Sequence, residues 1–415
     1  MASAALPEAQ QHHLAAHQER CPLPSPSSRR AIALIGPRLK PWSVFHGLEE
    51  DRGSTWRGYK GGEAYWAASL DYVLRVELGF EVDWFEHVHG GGSYPDVLPN
   101  STLLGHSEAQ TRRYHRLIVD GVGDHHTNDK LHHLLKIRTA TADMCRIRSL
   151  YFWGGFRPEE KLLPTGVKPS SRGFGPRWSV SPFMDNVNTP LPFFAHSQVT
   201  LPTSRSAHRA RAGFVLGKAC DLFKDARVPA LMKALHSYGY ELHAIQNCSH
   251  AFGGVPLVTH GVLEPNAFSL VLRRMAFVVG FGLPLDSPTP VEAIANGAAF
   301  LNPLLDKYLP ERRLQHRPLG SLGPPYVYTV DLSNASSLLR AAHMATQHRF
   351  AGFVPFEHRL ETAVAAVCAN LVQHDALCTC SNGVPNGTDS GAACEAEGTA
   401  LQSYIGSPHQ PVARG

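Results

Sequence analysis

From Met275 the chain reads Met-Ala-Phe-Val-Val279, then a turn, Gly280-Phe-Gly-Leu-Pro284. Next come Pro288-Thr-Pro-Val-Glu-Ala-Ile-Ala-Asn-Gly297 and Ala-Ala-Phe-Leu-Asn-Pro303. The order is strand, glycine turn, helix, second short apolar strand. Such a rhythm builds a parallel α/β sheet, because parallel strands need a crossover and a helix supplies it. A helix that opens just beyond the carboxyl end of a strand is where an open α/β sheet binds its ligand. Its unpaired N–H groups suit a phosphate. Glu292 then falls in the first turn, where a carboxylate can take two vicinal sugar hydroxyls. The same residues also read as a capping box, with Thr289 at N-cap, Pro290 at N1 and Glu292 at N3, and Gly297 as the helix stop. Local chemistry leaves both readings open.

The rest of the chain repeats the rhythm. Ala31-Ile-Ala-Leu-Ile35 is a buried first strand, and residues 63–78 carry apolar positions at helical spacing up to Gly79. Phe80–Phe85 and Leu117–Asp120 supply further strands, and Met144–Phe152 a further strand or buried segment. Residues 156–210, rich in Pro, Ser, Arg and Phe, read as loops and a linker. A second series begins at Ala212-Gly-Phe-Val-Leu-Gly217, with a helix over 228–239, a strand over Tyr240–Ile245 and a helix over 265–274. Val327–Asp331 is a late strand, and residues 358–374 form an amphipathic helix. The expected organisation is a disordered segment over 1–28, a first lobe with its linker over 29–210 and a second lobe over 211–345. A helical segment over 346–375 and a Gly/Ser/Thr-rich tail over 376–415 follow. A dinucleotide-binding dehydrogenase would also have such lobes. Against it, the first strand runs into Gly36-Pro-Arg-Leu-Lys40, which lacks the Gly-x-Gly-x-x-Gly pattern, and no P-loop follows any strand.

Composition narrows the classes. A net charge of +4 over 415 residues argues against an electrostatic nucleic-acid binder. No apolar run approaches the roughly 18 residues that span a bilayer, and the start of the chain lacks the apolar core of a signal peptide. The eight cysteines permit disulfides without demanding them; Cys145, Cys220 and Cys368 read as core thiols. Sequons at Asn100, Asn247, Asn334 and Asn386 favour a secretory route.

The string Pro288–Pro303 closely resembles the donor-site segment of the alpha-1,6-mannosylglycoprotein 6-beta-N-acetylglucosaminyltransferases, glycosyltransferase family eighteen. The resemblance continues in Pro325-Tyr-Val-Tyr-Thr-Val-Asp-Leu332 and Phe353-Val-Pro-Phe-Glu-His358. Gly213–Gly217, His260-Gly-Val262, Arg30–Gly36 and Gly61-Gly-Glu63 carry it more faintly. It implies a GT-B fold, two Rossmann-like lobes facing across a cleft, and Golgi enzymes held by an N-terminal signal anchor. No anchor is visible in this chain, and the expectation is that a segment before Met1 is missing.

The implied reaction is transfer of GlcNAc from UDP-GlcNAc to a mannose of an N-glycan or glycoprotein, forming a β1,6 branch with inversion. The UDP leaving group develops negative charge. A divalent metal on an Asp-x-Asp motif can stabilise it, but the sequence has no such motif. The other route is a helix N-terminus with basic side chains, so metal independence is expected, with no cofactor beyond the donor substrate. Arg273 and Lys218 are the basic candidates, alternatively solvated surface charges. Glu63 is the expected general base, at the start of a helix facing the cleft; its alternative is a glutamate satisfied by the helix dipole. Glu292 is expected on the donor's hydroxyls, with Asn296 and the backbone of Pro288, Thr289 and Val291 nearby. Gly280 and Gly282 would let the backbone approach the nucleotide. Tyr326, Tyr328 and Phe281 are stacking candidates, with core packing favoured for Tyr328. His125 and His126 are a weak metal pair. The expected partners are the donor and a glycan acceptor, with no nucleic acid and no membrane span in this chain. Two other readings remain: a GT-B transferase with another acceptor or nucleotide-sugar, and a catalytically dead sugar- or nucleotide-binding module.

Overall fold

A computed structural model describes most of residues 211–373. Before them it describes chiefly Cys21 and residues 31–35, 62–85, 115–120, 147–150, 179–182 and 189–200. Cys21, within the expected disordered start, is buried and disulfide-bonded; the rest of that start, the loose tail, His125, His126, Cys145, Asn100 and Asn386 lie outside the described residues.

Two six-stranded sheets carry the molecule. The first contains β1 (Ala31–Ile35), β2 (Glu81–Phe85), β3 (Arg116–Asp120), β4 (Ile147–Leu150), β5 (Ser179–Ser181) and β6 (Thr189–Pro190). Their spatial order is β2-β1-β3-β4-β5-β6, and every pair is parallel. The second contains β7 (Ala212–Leu216), β8 (Glu241–Ala244), β9 (Val258–Thr259), β10 (Phe277–Gly280), β11 (Ala299–Leu304) and β12 (Val327–Asp331). Its order is β12-β11-β10-β7-β8-β9, again all parallel. Counted from its own first strand, the second sheet has the order 3-2-1-4-5-6, that of a dinucleotide-binding Rossmann sheet, and the first begins 2-1-3-4-5, the flavodoxin-like order. Two such lobes make the GT-B architecture. The second sheet reverses its winding between β7 and β10, where Gly280 lies opposite Leu216.

The expected strands form where continuous Val, Ile and Phe runs allow burial on both faces of a sheet. Phe214, Val278 and Phe300 pack into one core, which extends across both lobes to Trp66, Phe193 and Phe194. Val215, Phe277, Val279 and Leu301 face a second core. The helices are α1 (Gly62–Tyr72), running on into a π turn over Val73–Glu77, then α2 (Ser197–Thr200), α3 (Val228–Ser237) and α4 (Pro265–Arg274). After them come α5 (Pro288–Ala295), α6 (Ala335–Gln347) and α7 (Leu360–Val367), the last continued by a π turn over Cys368–Val372.

Three expectations are corrected. Residues 156–210 are not only linker: β5, β6 and α2 lie within them. The run Leu191-Pro-Phe-Phe-Ala195 is buried between the lobes, its apolar character satisfied by packing without a helix or strand period. Cys220 and Cys368 are not free thiols; Cys220 is bonded to Cys248, and Cys368 to Cys21. The helix α6 was not anticipated, although its apolar face is periodic: Leu338, Ala341, Ala342 and Ala345 are buried.

The last helix returns to the first lobe. It packs against the π turn that extends α1. Asn370 donates to the Pro190 carbonyl at 2.8 Å, and a ring nitrogen of His115 lies 3.0 Å from the Val372 carbonyl.

Candidate active site

The helix α5 opens eight residues past the end of β10. Its N-cap is Ser287, whose hydroxyl accepts from the Thr289 amide at 3.3 Å, so the helix starts two residues before the expected capping box at Thr289. The consequence is electrostatic. Pro288 and Pro290 carry no N–H, and the Thr289 amide is already capped, so the expected row of open amides is absent from this first turn. What the helix offers there is its dipole. At the other end Gly297 adopts φ 78°, and the amides of Gly297 and Ala298 return to Ile294 and Ala293 at 2.9 and 2.8 Å. That is a Schellman stop, open to glycine because side chains are strained in this region.

Starting the helix earlier also moves Glu292 out of the first turn, to a position 4 % exposed. Its Oε1 accepts the Tyr65 hydroxyl of α1 and the His196 amide, the latter at 2.5 Å. Its Oε2 accepts Asn296 Nδ2 at 3.4 Å, and Ser197 donates through both its hydroxyl and its amide. Burying a carboxylate costs several kcal/mol unless donors replace water, and here four residues do so. Burial still pushes the Glu292 carboxyl up from its ordinary value, against the bonds from Tyr65, Ser197 and His196. Burial, followed by the Glu292 charge, pushes Tyr65 well up, so the phenol keeps the proton it donates.

Asn296 and Arg273, expected beside the donor, sit at the far end of α5. Asn296 is its C-cap; its Nδ2 holds the Glu292 carbonyl at 2.9 Å and its Oδ1 takes Arg273 Nε at 3.1 Å. Eight residues at about 1.5 Å each separate them by about 12 Å from Pro288. Gly280 does permit a close approach, but of a protein group: a Cβ there would lie 2.0 Å from Gln315 Oε1. Phe281 and Tyr328 are core residues, the latter with its hydroxyl 3.2 Å from His348 Nδ1, and Tyr326 stacks on Phe353 with centroids 4.3 Å apart. Glu63 lies in the first turn of α1, as its helix-start reading requires, while its side chain, Lys218 and Gly282 lie outside the described residues.

The strand-to-helix loop before α5 is held by a segment that carried no motif. Asn302 Nδ2 donates to the His316 carbonyl at 2.8 Å, and its Oδ1 accepts the His316 amide at 3.0 Å. Asp286, at φ 47°, donates its amide to the Gln315 carbonyl and accepts the Arg317 amide, each at 3.0 Å. His316 is fully buried, and burial, with the neighbouring His358 adding to it, drives its imidazole down to about 3. The Leu319 amide donates to its Nδ1 at 3.3 Å, which leaves the proton on Nε2. That Nε2 is buried without a hydrogen bond of ordinary geometry among the described residues, although the backbone of Ser287 lies close enough to act on the ring as an acceptor. His358 lies in the seam, with its Nδ1 3.1 Å from the Phe193 carbonyl and its ring stacked on Phe193. Of these residues Asn302 and His358 belonged to recognised strings. Tyr65, His196, Gln315 and His316 act through contacts far apart in the chain, which periodicity does not report.

Among the described residues no cluster of three or more His, Cys, Asp or Glu side chains is arranged to hold a metal. No helix among them is long and apolar enough to cross a membrane.

Comparison with known proteins bears on the same elements. The human alpha-1,6-mannosylglycoprotein 6-beta-N-acetylglucosaminyltransferase A is 28% identical over 187 residues, 40% of this chain and 24% of that protein. The Caenorhabditis elegans alpha-1,6-mannosylglycoprotein 6-beta-N-acetylglucosaminyltransferase is 29% identical over 201 residues, 43% of this chain and 29% of its own length. The chain thus spans about a quarter of the length of the curated relatives it matches. Among solved structures, spinosyn forosaminyltransferase SpnP has a TM-score of 0.46 at 12% identity, covering 85% of this chain and all of that one. The UDP-GlcNAc 2-epimerase of Methanocaldococcus jannaschii scores 0.41 at 9%, covering 79% of this chain and 96% of its own. A transferase and an epimerase score alike, so these likenesses do not choose between activities. The model of glycosyltransferase family 18 matches residues 181–393, just over half of the chain and the whole of the second sheet with α5; the chain belongs to glycosyltransferase family 18.

Proposed function

We propose that the protein transfers GlcNAc from UDP-GlcNAc to a mannose of an N-glycan, making a β1,6 branch with inversion and without a metal. The observation that carries this reading is the strand order of the second sheet, which puts α5 beside the switch point between β7 and β10, in a chain of this family. The relatives' names supply the donor sugar and the linkage.

In this reading the diphosphate sits at the Pro288 end of α5. The helix dipole, the buried His316 Nε2–H and Lys218, two residues past β7 in sequence, meet the charge that grows on UDP. Neutral His316 suits that task, because it donates a hydrogen bond without bringing a buried charge. Glu63 accepts the proton of the mannose hydroxyl as that oxygen attacks the anomeric carbon and UDP departs from the opposite face. Glu292 supports the donor helix from beneath. For Glu292 to hold donor hydroxyls as well, it must release one of its protein donors. The disulfides among the described residues suit an oxidising compartment, in keeping with a secretory, Golgi-type location.

The test is transfer from UDP-GlcNAc to a biantennary N-glycan in excess EDTA, read by product mass and linkage. A β1,6-branched product is expected, and Glu63→Gln should abolish turnover while leaving UDP binding intact. UDP binding without transfer would move the reading to another acceptor or to a binding module. Full turnover in Glu63→Gln would remove Glu63 as the base.

A further inference from the structure

The two helices that matter most to the proposed reaction are joined by a side-chain hydrogen bond. Tyr65 lies two residues after Glu63 on α1, in the first lobe, and its hydroxyl donates to Glu292 on α5, in the second. The contact is built in from several sides. The Tyr65 oxygen also accepts the His196 amide at 2.9 Å, and its ring stacks on the His196 imidazole at 3.6 Å with 3° between the planes. The edge of the Tyr65 ring meets Phe193, with centroids 5.4 Å apart. His196 Nε2 lies 2.8 Å from the Ser69 hydroxyl, one turn along α1 and on the same helix face as Tyr65. The chain segment 193–197 is therefore gripped by α1 on one side and by the Glu292 carboxylate on the other.

We propose that Tyr65 is a positioning residue: by anchoring Glu292 it sets the distance between the helix that carries the general base and the helix at which the donor binds. The proposal rests on the functional reading given above. Its physical basis is that a buried carboxylate with this many donors does not slide: each displaced donor leaves a charge or an amide without a partner in a dry seam. A rigid link of this kind matters to catalysis because a misplacement of about 1 Å between reacting groups costs on the order of a hundredfold in rate. A merely structural tyrosine would act on stability and leave the rate of the folded enzyme alone. A tyrosine that competes with the donor for Glu292 would act on donor affinity.

Tyr65→Phe separates these roles, since it removes one oxygen and keeps the ring stacked on His196. The expected result is a fall in kcat of about tenfold to a hundredfold, with the KM for UDP-GlcNAc and the Kd for UDP close to those of the wild type and the melting temperature lower by the few degrees that one lost hydrogen bond to a buried carboxylate costs. Glu292→Gln keeps an acceptor for the Tyr65 hydroxyl. Combined with Tyr65→Phe it should give a loss in kcat smaller than the product of the two single losses, as expected for two groups acting through one contact. Unchanged kcat in Tyr65→Phe, UDP binding tightened severalfold, or independent losses in the double variant would each overturn the proposal. A wild-type chain that binds UDP but transfers nothing overturns the functional reading and this proposal with it. That failure is distinguishable, because it appears before any variant is made.

Discussion

The two lobes share an architecture and differ in how far their contacts reach along the chain. In the second lobe, β10, α5 and β11 follow one another within Phe277–Leu304, and each packs on its sequence neighbours. In the first lobe, Trp66 Nε1 donates to the Leu191 carbonyl at 2.6 Å, Tyr65 reaches Glu292 and Cys21 is bonded to Cys368. One lobe is assembled by short-range order. The other is completed by segments more than a hundred residues away, and this sets both what holds each lobe and how readily each is read from sequence.

The largest expected difference lies in the disulfides. Cys21 and Cys368 close a loop of 347 residues, whereas Cys220 and Cys248 close one of 28. Chain-entropy arguments give about 6 kcal/mol for the long loop and about 3–4 kcal/mol for the short one. Cys21→Ala/Cys368→Ala should therefore lower the denaturant midpoint more than Cys220→Ala/Cys248→Ala. The reverse order would break the comparison.

Acid should act next, and mainly on the seam and the second lobe. His316 and His358 are held down by burial, and so are His243 and His260 at the β8–β9 edge. Each is neutral when folded and takes up a proton near 6.5 when unfolded. The unfolded chain then binds more protons as the pH falls from about 6.5, so stability declines, and for His316 the decline continues down to about 3. For His316, the slope within that window approaches about 1.4 kcal/mol per pH unit. Glu292 runs the other way: its raised carboxyl favours the folded state as the pH falls towards the ordinary carboxylate range. Melting temperatures measured from pH 7.5 to 5 should show the fall, and His316→Asn should flatten it.

The smallest effect sharpens the local side of the comparison. Gly297→Ala forces a side chain into φ 78° and should cost about 1–2 kcal/mol, read as a lower midpoint with an unchanged slope. A neutral result would mean that the Schellman stop of α5 is not held as tightly as its two hydrogen bonds indicate.

Legibility followed the same divide. Apolar runs and glycine stops were enough to place β7, β10, β11, α4 and α5 within a residue or two, because their cause is local. The N-cap of α5 was misplaced because Ser287 and Thr289 are both good caps, and only the packing of the Asp286 turn on Gln315 chooses between them. Glu292 stood out in the sequence as a carboxylate near a helix start, but its surroundings did not: its partners Tyr65, His196 and Ser197 come from distant parts of the chain. The aperiodic run Leu191–Ala195 gave no period to read, although it fills the space between the sheets. His316 had no motif, and its burial follows from the Asn302 pair.

The return of α7 to the first lobe has a mechanical corollary. Among the described residues the chain belongs to the first lobe up to Thr200, to the second from Ala212, and to the first again from Leu360. A body tied to another at one point can swivel in any direction; tied at two, it keeps only a rocking motion about the line that joins them. The Tyr65–Glu292 hydrogen bond adds a third tie, away from the chain crossings, that opposes even that rocking.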